Sequence, residues 1–194
     1  MNVLYIDTTT NDLVVALIRR DGIIDASQRA MGVKHSETLC GKVAELLKIA
    51  DITFDEIDAY ACAIGPGSFT GIRIGISTVK GYATANPRPQ IAVNCLEAIA
   101  CSPNCGNRGF AVIDAGNGYY CCTPESGTLP NVIAYDDEIA KRSGKAEGAA
   151  DYLDGAAEII RIKYANGDFC SALAPLYIRR SQAEINLKKA DNRQ

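Results

Sequence analysis

Two features of this 194-residue chain combine residue types and spacing suited to phosphate chemistry. The run Gly65-Pro66-Gly67-Ser68-Phe69-Thr70-Gly71-Ile72-Arg73-Ile74-Gly75 follows one apolar stretch and leads into another. In a strand-loop-helix, the N–H groups of such a loop and of the helix start converge into a ready site for phosphate or another anion. Asp7 and Asp114 end apolar runs at turns of small or hydroxyl residues, where carboxylates could hold a hydrated metal against phosphate. Asp7, Thr8, Gly65, Gly67, Ser68 and Asp114 therefore form the candidate nucleotide or anion site. Each feature also has a plainer reading. The glycine run lacks the Gly-Lys-Ser/Thr ending of a P-loop and the spacing of a dinucleotide fingerprint, so Gly71 and Gly75 serve equally as close-packing positions at a tight turn. A carboxylate at a strand end commonly just accepts turn N–H groups.

Metal chemistry has less support. A single histidine, His35, cannot assemble a multi-histidine zinc site, and its place at a helix entry suits a surface or capping role. The chain has eight cysteines, and most sit in apolar strand or helix patterns where a thiol acts as a small hydrophobe, so free thiols are expected. A zinc set of Cys101, Cys105, Cys121 and Cys122 is disfavoured, because adjacent strand residues point to opposite faces. The net charge of -3 gives no overall basic field for a phosphate backbone, which argues against unaided nucleic-acid binding. Met1 to Asp7 reads as a strand rather than a secretory leader, and no apolar run approaches the ~18 residues of a membrane span, so a cytoplasmic location is expected.

The elements that must position these residues follow from periodicity. Residues 2–7, Leu13 to Arg19 and Ile23 to Arg29 read as a β meander with turns at 8–12 and 21–22. A helix starts at Ser36 as N-cap and buries Leu39, Val43, Leu46 and Leu47. Thr53 and Glu56 have capping-box spacing, and Ala59 to Ile64 is a buried strand entering the glycine run. Phe69, Ile72, Ile76, Val79 and Ala83 then recur at helical spacing until Asn86-Pro87. A strand at Gln90 to Asn94, a short helix at Leu96 to Ala100 and a linker at 102–107 close the first half. Beyond it, Phe110 to Gly116 repeats the theme of Leu4 to Thr9, an apolar strand ending in Asp, and Tyr119 to Thr123 is a further strand. A helix is expected at Ala149 to Tyr164, and a last segment at Pro175 to Arg180. Two α/β halves, 1–102 and 103–194, each opening with β-turn-β, suggest an actin-like duplicated fold, each half a mixed sheet flanked by helices.

The Gly65–Gly75 run does not stand alone. With Ile6-Asp7-Thr8-Thr9, His35-Ser36-Glu37 and Pro175-Leu176-Tyr177-Ile178-Arg179-Arg180, in that order, the chain resembles the TsaB (YeaZ) family, non-catalytic actin-like subunits of the bacterial tRNA threonylcarbamoyladenosine machinery. The resemblance implies an ASKHA (RNase H-like) fold, homodimers, and pairing with the related TsaD transferase, which a TsaE ATPase joins. TsaD transfers a threonylcarbamoyl group from its adenylate to the adenosine beside the anticodon. The family surface uses first-half helices, which makes Gly71, Gly75 and Ser77, with Ile72 beside them, the expected partner-binding residues. No cofactor is required, weak or shared ATP or ADP binding is left open, tRNA is met only through the complex, and no membrane is involved.

Val93 to Ala100 also resembles TsaD, which carries two metal-binding histidines four apart where this chain has Cys95 and Ile99. Isoleucine cannot ligate a metal, so the transfer chemistry is expected to be absent. The chain departs from TsaB in being shorter. The second half is expected to be shortened between about Tyr135 and Ala150, where a strand and a helix are usual, and the turn 114–118 replaces a more charged sequence. The rival expectation is an actin-like ATP-binding or phosphotransfer enzyme using Asp7, the 65–71 loop and Asp114; a metalloprotease is disfavoured for the same reason as TsaD chemistry.

Overall fold

The computed structural model describes residues 1–29, 34–105, 111–116, 119–122, 131–134 and 143–177. Its centre is a five-stranded sheet of β1 (Val3–Asp7), β2 (Val14–Ile18), β3 (Ile23–Asp25), β4 (Ala59–Gly65) and β5 (Gln90–Asn94) in the order β3-β2-β1-β4-β5. The meander β1-β2-β3 is antiparallel, with Val3 opposite Ile18 and Asp7 opposite Val14, while β1, β4 and β5 run parallel. Every residue of β1 and β2 is buried. That is what near-continuous apolar strands require when both sheet faces are covered.

Alternation along β1 sorts the side chains. Leu4 and Ile6, with Val15, Leu17, Tyr60 and Cys62, face α1 (His35–Ala50) and α2 (Phe69–Ala85). The helices answer with Leu39, Val43 and Leu46 from α1, and Ile72, Ile76 and Val79 from α2, each burial worth about 1.5–3 kcal/mol. Val3 and Tyr5, with Val14, Ala16, Ala61 and Val93, face α3 (Cys95–Cys101) and α4 (Leu153–Asn166). The small residues Ala156, Ala157 and Gly155 let α4 lie close; a Cβ at Gly155 would run into the Ala98 carbonyl of α3. Thus a helix from late in the chain completes the first sheet. A second, antiparallel sheet holds β6 (Val112–Gly116), β7 (Tyr119–Cys122) and β8 (Asn131–Ala134). It is tied back by the Ala111–Gly144 bridge and by Lys145 N donating to Cys105 O at 2.7 Å.

Most expected elements are present, with four differences. Helix α1 starts at His35 with Lys34 at the cap and no side-chain cap bond, so Ser36 lies inside the first turn and is not the N-cap. The strand expected over 23–29 pairs regularly only at Ile23–Asp25, then resumes as a single bridge between Leu13 and Gln28. Strand β8 was not apparent from the sequence. The Thr53–Glu56 capping box forms, with Thr53 N donating to Glu56 Oε2 at 2.8 Å. The helix expected at 149–164 opens as a 3-10 turn, Ala149–Tyr152, before α4. Residues 106–107 of the linker, 117–118 of the second-half turn, 135–142 and Ile178 to Arg180 lie outside the described residues. No helix among the described residues is long and apolar enough to cross a membrane.

Candidate functional site

The turn after β1 is where the expected site residues converge. Asp7 is fully buried, and four protein donors meet its carboxylate. Oδ1 accepts from Thr9 N at 2.8 Å and Thr9 Oγ1 at 2.7 Å, and Oδ2 from the Tyr5 hydroxyl at 3.0 Å and the Tyr152 hydroxyl at 2.8 Å. A carboxylate has about four acceptor positions, so this one has none left for a metal ion or its bound water. Tyr5 reaches it because residues two apart on a strand share a face; Tyr152 arrives from the 3-10 turn before α4. Thr9 Oγ1 also lies 3.5 Å from Cys95 Sγ and 3.3 Å from the Tyr152 hydroxyl.

Electrostatics keep these donors protonated. Burial first, and the adjacent Asp7 second, push both tyrosine hydroxyls well up and Cys95 up to about 12; burial also raises Cys62. The cluster is one buried carboxyl group met on both oxygens by O–H and N–H donors, the arrangement that offsets the cost of burying a polar group.

The glycine run closes on the same turn. Ser68 N donates to Thr9 O at 2.7 Å, and Thr8 Oγ1 donates to Gly71 O at 2.6 Å. Ser68 caps α2 by accepting from Gly71 N at 3.2 Å. A Cβ on Gly67 would sit 2.6 Å from Thr9 O, one on Gly71 would collide with the Thr8 carbonyl, and one on Gly75 would lie 2.7 Å from Thr8 Oγ1. Gly65 adopts φ +109°, and a Cβ there would meet Leu176 O at 2.8 Å. The glycines let α2 and its entry loop press onto Thr8 and Thr9. Asp7, Thr8, Gly65, Gly67 and Ser68 are thus brought together, while Asp114 stands exposed in β6 opposite Tyr120, in the other sheet.

Farther along the turn, Thr10 Oγ1 accepts from Ala149 N at 3.0 Å, and Asp12 Oδ2 from Ala150 N at 3.3 Å. His35 Nε2 lies 3.1 Å from Asn11 O. Sequence reading missed Tyr5, Thr9, Thr10, Asp12 and Tyr152. Tyr5 had a signal, its place two residues before Asp7. Tyr152 was legible only as part of an apolar helix face.

The expected partner residues separate. Gly71, Ile72 and Gly75 are buried against the chain's own sheet, so they are packing positions, and Ser77 alone of the four is exposed. Ser77 lines an open groove of about 440 Å³ between α1 and α2, with Ser36, Leu39, Cys40, Thr70, Arg73, Ile74 and Thr78. At its edge the Arg73 guanidinium lies 3.9 Å over the Phe69 ring, Phe69 stacks on Tyr177 at 4.4 Å, and Arg73 Nε donates to the Tyr177 hydroxyl at 2.8 Å.

Residues 29–145, more than half of the chain, match the family model described as TsaD, tRNA N6-adenosine threonylcarbamoyltransferase. The tRNA threonylcarbamoyladenosine biosynthesis protein TsaB of Escherichia coli is 36% identical over 121 residues, 61% of this chain and 52% of that protein. The chain belongs to the TsaD family, in its TsaB (YeaZ) branch. A solved structure described as similar to the peptidase YeaZ from Pseudomonas aeruginosa superposes with a TM-score of 0.71 at 25% identity, covering 92% of this chain and 99% of that one. The mixed sheet flanked by helices is therefore the actin-like fold. A tRNA N6-adenosine threonylcarbamoyltransferase of Gluconobacter oxydans is also 35% identical over 121 residues, 55% of this chain and 33% of that protein. The chain spans about half the length of the curated TsaB that it matches. At the two positions where TsaD is expected to carry its histidines, Cys95 touches Thr9 and Ile99 is 2% exposed in the core under α3.

Proposed function

We propose that the chain is a non-catalytic subunit in threonylcarbamoyladenosine modification of tRNA. It pairs through the α1–α2 groove with a TsaD-type transferase and holds that enzyme in its active arrangement. A TsaE-type ATPase joins the pair, a homodimer is the alternative assembly, and tRNA is met through the complex, in the cytoplasm. One observation carries the reading: Asp7, the buried carboxylate of the candidate site, is fully engaged by Tyr5, Thr9 and Tyr152, while a groove between α1 and α2 stays open.

The residues present do not fit a metal–nucleotide pair at this turn. Asp7 offers no lone pair, the Ser68 amide is bound to Thr9 O, and Asp114 belongs to the other sheet. The function therefore requires no cofactor held there. Depleting the protein in its native cell and measuring tRNA nucleosides by mass spectrometry tests the assignment. Threonylcarbamoyladenosine should fall while other modified nucleosides hold. An unchanged level would overturn the reading, and metal-dependent ATP turnover by the pure chain, lost in Asp7→Asn, would put the phosphotransfer enzyme in its place.

A further inference from the structure

Helix α2 exposes Thr70, Arg73, Ser77, Lys80 and Thr84, spaced by three or four residues and hence on one face. Its sequence, FTGIRIGISTVKGYATA, contains two cations and no acid. Among the described residues neither Arg73 nor Lys80 has a carboxylate partner. By contrast, Lys34 just before α1 pairs with Glu37 at 3.5 Å, and Lys42 within α1 with Glu45 at 2.8 Å. Arg73 is braced as well as unmatched. The Phe69 ring supports its plane and Tyr177 takes its Nε, and among the described residues no acceptor meets its two Nη groups. A guanidinium fixed this way loses less side-chain freedom when a carboxylate binds it.

We propose that this face of α2 recognises an acidic helix on the partner, one carboxylate meeting Arg73 and a second, about 10 Å away along the axis, meeting Lys80. The spacing follows from seven residues of helical rise between the two cations. Ile74, half-buried at the groove, gives the apolar contact between the charged ends, and Thr70, Ser77 and Thr78 supply hydroxyls. The inference rests on the pairing proposed above and adds the chemistry that the partner surface must carry. A second copy packed α2 against α2 would set Arg73 and Lys80 against the same two cations, so charge selects a different protein as the occupant.

The test titrates the intact chain, Arg73→Glu, Lys80→Glu and the double variant against the threonylcarbamoyltransferase of the same organism, at low and high salt. Self-association is followed in parallel by sedimentation, and folding by circular dichroism. Each reversal should weaken pairing by roughly tenfold, and added salt should weaken the unaltered pair. Replacing the contacted partner carboxylate with lysine should restore the matching reversal. Lys80→Glu breaks no side-chain hydrogen bond or ion pair among the described residues, so its effect is free of any loss of the Tyr177 brace. Unchanged affinity in both variants overturns the acidic-helix inference and leaves the pairing intact. An unaltered chain that fails to bind the transferase overturns the pairing, and this inference with it. Loss of self-association alone overturns the inference and makes a second copy the occupant.

Discussion

The turn after β1 and the groove between α1 and α2 both carry polar side chains, and the chain treats them in opposite ways. At the turn, polar groups meet partners from elsewhere in the same molecule: Asp7 with Tyr152, Thr8 with Gly71, Thr9 with Ser68, Thr10 with Ala149. On the face of α2 that borders the groove, Arg73, Ser77 and Lys80 are exposed, and among the described residues only Arg73 Nε of these has a side-chain hydrogen-bond partner. Conspicuous glycines and an aspartate thus mark the closed region, where their role is packing. The region available to other molecules is marked by ordinary helix residues.

The contrast is easiest to break by adding a side chain on the closed side. Gly71→Val would drive its Cβ into the Thr8 carbonyl at a backbone-to-backbone contact that cannot yield. A loss of about 3 kcal/mol or more, or failure to accumulate folded protein, is expected in denaturant unfolding. Tyr152→Phe removes one of the four donors to buried Asp7 and should cost about 1.5–3 kcal/mol. A cost near zero would mean that water or a rearranged Thr9 replaces the hydroxyl.

Alkaline titration sharpens the comparison. Cys95 has its pKa raised from 9.0 to about 12 by burial and by Asp7, so the folded state favours the neutral thiol. Its contribution to stability is complete below the unfolded value and is lost as pH rises between the two, because the unfolded chain then releases a proton that the folded chain retains. Tyr5, Tyr152 and Cys62 shift in the same direction. Unfolding midpoints should therefore fall steadily above about pH 9, and Cys95→Ala should flatten the slope. The smallest effect belongs to the open side. Gly81 lies exposed in α2, and a methyl group added there would have nothing within 4 Å, so Gly81→Ala should stabilise the chain by about 0.5–1 kcal/mol.

Legibility in the sequence followed the range of the interactions. Helix α2 was readable from Phe69, Ile72, Ile76 and Val79 and from the stop at Asn86-Pro87, and the capping box at Thr53 from residues three apart. The sheet strands were readable where apolar runs were bounded by turn residues. The start of α1 was misread because Ser36 has cap chemistry, whereas the helix begins one residue earlier, at His35, whose ring meets Asn11 O across the turn. Tyr152 could not be identified as a ligand of Asp7, since the two are joined only by tertiary packing over 145 positions. The inward direction of Gly71 and Gly75 depended likewise on which face of α2 the Thr8 hydroxyl would meet.

Helix α4 bears on how the molecule is made. Ala156, Ala157 and Ile160 cover the sheet face formed by Val3, Tyr5 and Val93, although they follow β1 by more than half the chain. While the protein emerges from the ribosome, that face is covered only by α3 until residues near Asn166 have been synthesised, and Asp7 lacks its Tyr152 donor until then. Nascent chains arrested before α4 should therefore bind chaperones or aggregate, and those arrested just beyond it should reach the folded state.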